Sequence, residues 1–271
     1  MTTVTDTVKG RRDVETVEWL FATGGVLTPA QRRELIRTVP ALLRDATRNW
    51  IAVARGREAT RVADPGSTDR LVPDSTWAGA AERACDAQVG TVRAHCYRTW
   101  AYAAMLAVLD GAAPDWEALY VGCLLHDLGL DHPRPPTCFT LRGVQTALDL
   151  GARANVPPDR QHAAAQAICA HSSPDARVDV HGLEACYVRA GALADLVAHR
   201  ARDIGWAGVR SADRRWPRDG CAGDLARRLR AEAAAVPEGR MAFACRWLGL
   251  PLAIRLADRL ITNRVLSSAG E

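Results

Sequence analysis

Helical sequence patterns cover most of the chain, and no stretch of any length shows the alternation that is typical of a β-strand. Thr28 followed by Pro29 is an N-cap with proline at the first helical position, and Asp115 with Glu117 opens an apolar run that ends at Gly129. Further helical patterns span residues 77–109, 142–154, 158–169, 183–202, 223–235 and 241–265, the last with a bend at Pro251. The sequence therefore predicts an all-α protein.

Two stretches rich in Pro, Gly, Ser, Asp or Arg interrupt the helical patterns. The first, REATRVADPGSTDRLVPDS, separates a predicted N-terminal helical appendage, residues 1–70, from a main body, residues 71–271. The second, GWAGVRSADRRWPRDG, precedes the C-terminal helices and is predicted to be an irregular loop over a site. Because the appendage has apolar faces but no histidine or cysteine, we expect it to cover the body or form an oligomer contact, without supplying a metal ligand.

Composition restricts the class of protein. The 271 residues, 48% of them hydrophobic, suit a globular protein with a sizeable core. The formal charge of +4 arises from 35 basic and 31 acidic residues that are mixed along the chain, without the basic block that binds phosphate backbones. No apolar run approaches the roughly 20 residues of a membrane helix, and the start, MTTVTDTVKGRRDVE, lacks an apolar signal core.

The cysteines indicate a reducing compartment, which agrees with the lack of an apolar signal core at the start of the sequence. All 8 are scattered without a CxxC pair, which is typical of buried thiols in a reducing environment. We therefore expect a cytoplasmic protein. Its expected partner is a small-molecule substrate, and neither nucleic acid nor a membrane is expected to bind. A homo-oligomer is possible.

An imidazole and a carboxylate stand together at the end of an apolar helical run, at His126 and Asp127. A helix C-terminus favours a cation, and this pair of side chains suits divalent Zn, Mn, Fe or Ni. His95 lies on the preceding helical pattern, and Asp195 interrupts small and apolar residues in RAGALADLVAH. Together these four residues offer two imidazoles and two carboxylates to a metal ion.

The order of these four residues across helices resembles the HD-domain superfamily of metal-dependent hydrolases. The segments HCYRTW, LYVGCLLHDLGL, CFTLRGVQTA, AICAHSSP and GALADLV are similar, in order and approximate spacing, to the cyanamide-hydratase-like branch over residues 74–200. This chain has Cys96 and Thr140 where that branch is expected to have a serine and an acid.

The resemblance implies a helical fold in which His95, His126, Asp127 and Asp195 hold a divalent metal, with zinc expected first and Fe, Mn or Ni as alternatives. It implies hydrolysis of a phosphoester or, in this branch, addition of water to the nitrile of cyanamide. Two other functions stay open: a di-iron oxygenase of the kind known among HD-domain relatives, and a non-catalytic binding protein that keeps the metal for structure.

Three residues are expected to take part in catalysis: Asp127, His171 and Arg98. Asp127 or His171 would move a proton of the attacking water, although His171 is also compatible with an ordinary histidine at a helix end. Arg98 lies one helical turn after His95 and is expected to bind a substrate anion, or else to pair with Asp86 or Asp131.

A second metal ion would need further histidines, and the candidates are His132, His162 and His171. His162 and His171 turn to opposite faces if they share a helix, so they cannot hold one ion together. The sequence therefore predicts a single metal ion. His132 is the residue that could still contribute to binding a second ion. His162 and His181 are expected at the surface.

Overall fold

The computed structural model describes residues 15–68 and 70–267. The polar start of the chain and the first part of the predicted appendage lie outside these residues. The described part consists of α-helices and one short 3-10 helix, without a β-strand, and the prediction of an all-α protein is confirmed. Whether residues 1–70 form a separate unit stays a prediction.

Thirteen α-helices follow one another in the described part of the chain: α1 Val17–Thr23, α2 Pro29–Ala54, α3 Thr76–Asp86, α4 Gly90–Asp110, α5 Trp116–Leu125, α6 Thr140–Arg153, α7 Pro158–Ala170, α8 Val178–His181, α9 Leu183–Val197, α10 Ala201–Arg215, α11 Cys221–Ala235, α12 Arg240–Trp247 and α13 Leu250–Ser267. The 3-10 helix, Pro65–Thr68, lies in the irregular segment between α2 and α3.

Local capping fixes where α2 and α5 begin. The Gln31 backbone N–H donates to the Thr28 hydroxyl (3.2 Å), and the Gln31 side chain accepts from the Thr28 backbone N–H (2.9 Å), which forms a capping box. Asp115 accepts hydrogen bonds from the first backbone N–H groups of α5. Both predicted N-caps are confirmed, but α5 ends at Leu125 instead of Gly129, so His126 becomes its C-cap.

The core forms where α4, α5, α7 and α9 pack together. Every residue of α5 from Ala118 to Leu125 is buried, as expected of a helix that is apolar all round. Helices α4 and α9 approach each other closely at Gly191, where an added Cβ would overlap the backbone oxygen of Thr99 and lie 3.0 Å from Ala103. This close contact holds the face of α4 that carries His95 against the face of α9 that carries Asp195.

The N-terminal helices are attached to this core by buried side chains. In α1, Trp19 and Leu20 are fully buried, and the Val17 backbone N–H donates to Gln166 of α7 (3.0 Å). Near the end of α2, the Trp50 indole N–H donates to the carbonyl oxygen of Val197 (2.8 Å). Residues 15–54 therefore cover the body, which is one of the two roles expected of the appendage.

Several predicted boundaries are wrong. The pattern at 77–109 is two helices, α3 and α4, and the pattern at 183–202 ends at Val197, after which Ala198 takes a left-handed conformation. The pattern at 241–265 breaks at Gly249 (φ +60°), and Pro251 lies in the first turn of α13, where proline is tolerated.

The stretch predicted as a loop over a site, 205–220, is mostly helix α10. Gly205 (φ +75°) kinks this helix near its start, and only the segment that follows Arg215 is irregular. The polar composition of this stretch favoured a loop. The structure instead buries Val209 and Ala212, which lie about one helical turn apart and form the apolar face of the helix.

None of the helices between residues 15 and 267 combines the length and the hydropathy that crossing a membrane requires.

Candidate metal centre

His126 lies directly after the last residue of α5, and its side chain is fully buried. Its Nδ1 atom lies 2.8 Å from the carbonyl oxygen of Cys123. Because a carbonyl oxygen only accepts hydrogen bonds, Nδ1 carries the ring proton. The Nε2 atom of the neutral ring therefore keeps a lone pair.

His95 supplies a second buried imidazole from α4. Its Nδ1 lies 2.7 Å from Asp195 Oδ2. Burial alone would raise the pKa of Asp195, but Arg98 and Arg218 hold that pKa well below its usual range. The ionised carboxylate accepts the Nδ1 proton, so the His95 Nε2 lone pair faces that of His126 at 3.2 Å.

Asp127 completes a group that fits a metal ion. Its Oδ2 atom lies 3.6 Å from Nε2 of both His95 and His126, and the possible ligand atoms of the three residues all lie within 4.8 Å of one another. Two lone pairs and a carboxylate oxygen that face each other repel unless a cation lies among them. Nitrogen and carboxylate donors are those that zinc and its neighbours in the first transition row prefer.

The charges of the centre also favour a cation. Burial alone would raise the pKa of Asp127, but His126, His95 and His171 lower it, which keeps the carboxylate ionised. Burial acts to lower the pKa of His126, yet Asp127 and Cys96 raise it above its ordinary value. Asp127 and the His126 ring therefore favour a positive charge between them, as a proton or as a metal ion.

His171 lies beside this group, directly after the last residue of α7. Its Nδ1 donates to the carbonyl oxygen of Ile168 (2.7 Å), and its Nε2 lies 3.7 Å from Asp127 Oδ1. Burial and His126 lower the pKa of His171 to about 3, so the ring is neutral at pH 7 with a lone pair on Nε2. Asp127 thus directs one oxygen to the imidazole pair and the other to His171.

Asp195 is surrounded by donors in this structure. Arg98 donates from Nε to Oδ1 (2.7 Å) and from Nη2 to Oδ2 (2.9 Å), and Arg218 Nη2 donates to Oδ1 (2.9 Å). With His95 Nδ1 as a fourth donor, the carboxylate fixes the orientation of that ring. The predicted role of Asp195 as a direct metal ligand is not tested by this arrangement and stays a prediction.

Arg98 was predicted to bind substrate or to pair with Asp86 or Asp131, and its partner is Asp195. Its Nη1 donates to the carbonyl oxygens of Trp216 (2.9 Å) and Pro217 (3.1 Å). Asp86 accepts from Tyr97, and Asp131 accepts from Arg228. The structure gives Arg98 a positioning role, and its predicted contact with substrate stays a prediction.

Two arginines near the centre were missed by the sequence analysis. Arg218 follows α10 and reaches Asp195, whereas Arg240 of α12 donates to the Thr140 hydroxyl (2.7 Å) and to the carbonyl oxygen of Cys169 (2.5 Å). The only signal was that Arg218 lies in a stretch predicted to cover a site. No spacing rule connects either arginine to the histidines, because tertiary packing brings them together.

None of His132, His162 and His181 belongs to the group of three. His132 and His162 are exposed, so His162 is at the surface as predicted, whereas His171 is buried. The surface prediction for His181 is wrong, because its side chain is only 7% exposed. Its Nδ1 accepts from the Arg177 backbone N–H (3.0 Å), which holds the ring against the protein.

Comparison with known families matches the HD domain to residues 92–203, which is less than half of the chain. The matched segment contains the group of three together with His171 and Asp195. The helical fold and the group of three in this segment fit metal binding, and they support metal-dependent chemistry of the hydrolase type. A comparison with curated proteins gives no match, and the cyanamide-hydratase-like branch stays a prediction.

Proposed function

We propose that this protein is a metal-dependent hydratase or hydrolase that adds water to a small, uncharged polar substrate of the nitrile or cyanamide kind. The observation that carries the proposal is the convergence of His95 Nε2, His126 Nε2 and an oxygen of Asp127 in a buried part of the fold. In residues 15–68 and 70–267, this is the one group of three or more metal-ligating side chains.

His95, His126 and Asp127 would hold a divalent ion, with zinc proposed first, Fe, Mn or Ni as alternatives, and Asp195 as a further proposed ligand. When bound, such an ion polarises the substrate and lowers the pKa of a water molecule towards neutrality. The chain keeps both imidazoles in the required tautomer, because each ring donates its Nδ1 proton to a fixed acceptor.

Asp127 and His171 supply the groups that accept and return a proton. Asp127 Oδ1 and His171 Nε2 lie 3.7 Å apart, and both have a lone pair because the carboxylate is ionised and the ring neutral. The attacking water loses one proton as its oxygen bonds to the nitrile carbon. We assign the transfer of that proton to the nitrile nitrogen to Asp127 Oδ1 and His171 Nε2.

The surroundings of the centre favour an uncharged substrate over a phosphomonoester. A phosphate ester carries a charge of about −1.5 to −2 at pH 7 and is commonly held by arginine forks. The forks of Arg98 and Arg218 instead face Asp195, and Arg240 faces Thr140 and a backbone carbonyl. Because His95, His126, Asp127 and His171 are at most 6% exposed, the substrate is expected to be small.

A second candidate function, a dinuclear oxygenase, is favoured by one observation. Asp127 directs its two oxygens to different histidines, Oδ2 to the imidazole pair and Oδ1 to His171, and a bridging carboxylate has this geometry. A second ion would find only Asp127 and His171 as ligands among the described side chains near it. We therefore place this function second.

A substrate panel tests the proposal. Protein loaded separately with Zn, Fe, Mn or Ni is assayed with cyanamide, aliphatic nitriles and p-nitrophenyl phosphate. We expect hydration of cyanamide or a nitrile, and a decrease of kcat by about 10²- to 10⁴-fold in His171→Gln with unchanged metal content. The matched control is His162→Gln, which changes an exposed histidine on the same helix and is expected to retain activity.

Two results would contradict the proposal. Hydrolysis of the phosphate ester without turnover of any nitrile would exclude the proposed substrate class. Consumption of O₂ by the iron-loaded protein, together with two ions per chain, would establish the oxygenase instead.

A further inference from the structure

An aromatic cleft lies on the side of α4 that faces away from the metal centre. Tyr97 and Trp100 follow His95 by two and five positions, which at about 100° per residue turns them to other faces of the helix. The cleft has a volume of about 300 Å³, and its walls include Tyr97, Trp100, Tyr120, Trp216, Glu82 and Arg215. This volume is at the lower end of the range for small-molecule sites.

The four rings of the cleft form two ordered pairs. The Tyr97 and Trp216 rings are parallel, with 3° between their planes and 5.4 Å between their centroids. Trp100 and Tyr120 meet edge to face at 82°, with centroids 4.8 Å apart. Trp100 and Tyr120 are buried, whereas Tyr97 and Trp216 are half-buried, so the second pair forms the base and the first lies nearer to solvent.

Carboxylates make this aromatic surface favourable for a cation. The Tyr120 hydroxyl donates to Glu82 Oε1 (2.6 Å), and the Tyr97 hydroxyl donates to Asp86 Oδ1 (3.1 Å). A phenol that donates to a carboxylate has a more electron-rich ring, and the face of such a ring attracts positive charge. Glu82 also lines the cleft itself, which places a carboxylate within reach of a bound cation.

The protein already places one cation on these rings. The guanidinium carbon of Arg215 lies 4.7 Å from the centroid of the Trp216 ring. Arg215 is exposed, and a ligand cation would compete with it for this ring.

We propose that the aromatic cleft binds a small methylated ammonium cation against the aromatic rings that line it and beside the carboxylate of Glu82. Methyl groups on the nitrogen match the apolar ring faces, and the spread positive charge matches their negative potential. The proposal is independent of the proposed function, because it uses no residue of the metal centre.

Binding of choline and of its uncharged isostere, 3,3-dimethylbutan-1-ol, to the full chain tests the proposal. We expect saturable binding of choline by titration calorimetry, with an upfield shift of its N-methyl proton resonance from the aromatic rings. The uncharged isostere should bind roughly 2- to 30-fold more weakly, the range that corresponds to a cation–π interaction. Equal affinity for both compounds, or the absence of saturable choline binding, would overturn the proposal.

Matched variants separate the cleft from the rest of the surface. Glu82→Gln and Trp216→Leu are each expected to weaken choline binding by about 2- to 30-fold, whereas Arg215→Gln should strengthen it because a competing cation is removed. Trp247→Leu is the control, since Trp247 also lies beside an arginine, Arg246, at 5.7 Å but does not line the cleft. Thermal melting shows that each variant is folded. Equal weakening in Trp247→Leu and Trp216→Leu would count against the cleft.

Discussion

The Nε2 atoms of His95 and His126 lie 3.2 Å apart, and each ring gives its Nδ1 proton to another acceptor. Two imidazole lone pairs at this distance are unfavourable unless a positive charge lies beside them. The nearby Oδ2 atom of Asp127, 3.6 Å from both nitrogens, adds a third donor atom for a metal. The convergence of three donor atoms in one buried place is the arrangement that a metal site requires.

The buried network around Asp195 predicts a loss of both stability and metal affinity in Asp195→Asn. Removing the charge leaves the buried Arg98 without its anionic partner, whereas Arg218 keeps an ion pair with Asp213 at 3.1 Å. Breaking a buried pair of this kind costs about 3–5 kcal/mol of unfolding free energy. Replacing the ionised acceptor of His95 Nδ1 with a neutral amide should lower metal affinity by about 10–100-fold. Urea unfolding of the metal-free protein and a metal titration measure the two effects.

Asp110→Asn is the control for this network. Asp110 pairs with Arg200 at 2.8 Å, but both side chains are about a third exposed, so the loss should stay below about 1 kcal/mol. Wild-type metal affinity in Asp195→Asn would show that neither the orientation of His95 nor a direct bond depends on this carboxylate.

The network also shows why part of the site could not be read from the sequence. Local sequence patterns predicted the position of His126 and Asp127 at the end of a helix and the N-caps Thr28 and Asp115, because residues adjacent in the sequence determine these features. Contacts of Asp195 with Arg218 depend on how α9 packs against the segment after α10, and no periodicity records that packing.

The same distinction explains the error at 205–220. Glycine at 205 and the charged residues of this stretch favour a loop when they are considered locally. Its helix is stabilised by burial of Ile204, Trp206 and Val209 in the core, and such a tertiary effect overrides a weak local propensity. The all-α class was predictable because helix signals recur along the whole chain.

Close packing of α4 and α9 predicts that Gly191→Ala is strongly destabilising. The new methyl group would overlap the backbone oxygen of Thr99, which cannot move without shifting α4. Overpacking of this kind typically costs about 1–3 kcal/mol, and a backbone clash places the cost at the upper end. Chemical denaturation of the variant measures it.

Gly223→Ala provides the matched helical control for Gly191→Ala. An added Cβ at Gly223 has no atom within 4 Å, so the better helix propensity of alanine should stabilise the protein by up to about 1 kcal/mol. A similar change of stability in both variants would contradict the packing that the structure shows at Gly191.

The N-terminal helices are expected to contribute stability and no metal ligand. Trp19→Ala removes a fully buried side chain, and such a truncation costs about 3–5 kcal/mol, with metal content per folded chain unchanged. Phe21→Ala, on the same helix but 48% exposed, should stay within about 0.5 kcal/mol of wild type. Loss of the metal from folded Trp19→Ala would show that α1 helps to form the centre.

Metal content per chain is the most direct test of the site, measured by elemental analysis on protein purified without chelator and then equilibrated with Zn, Fe, Mn or Ni. We predict one tightly held ion per chain in the wild type and its loss in His95→Ala, His126→Ala and Asp127→Ala, because each removes one of three converging donors. His162→Ala should keep the ion. Two ions per chain, full occupancy in His126→Ala, or a wild type that binds none of these metals would contradict the account.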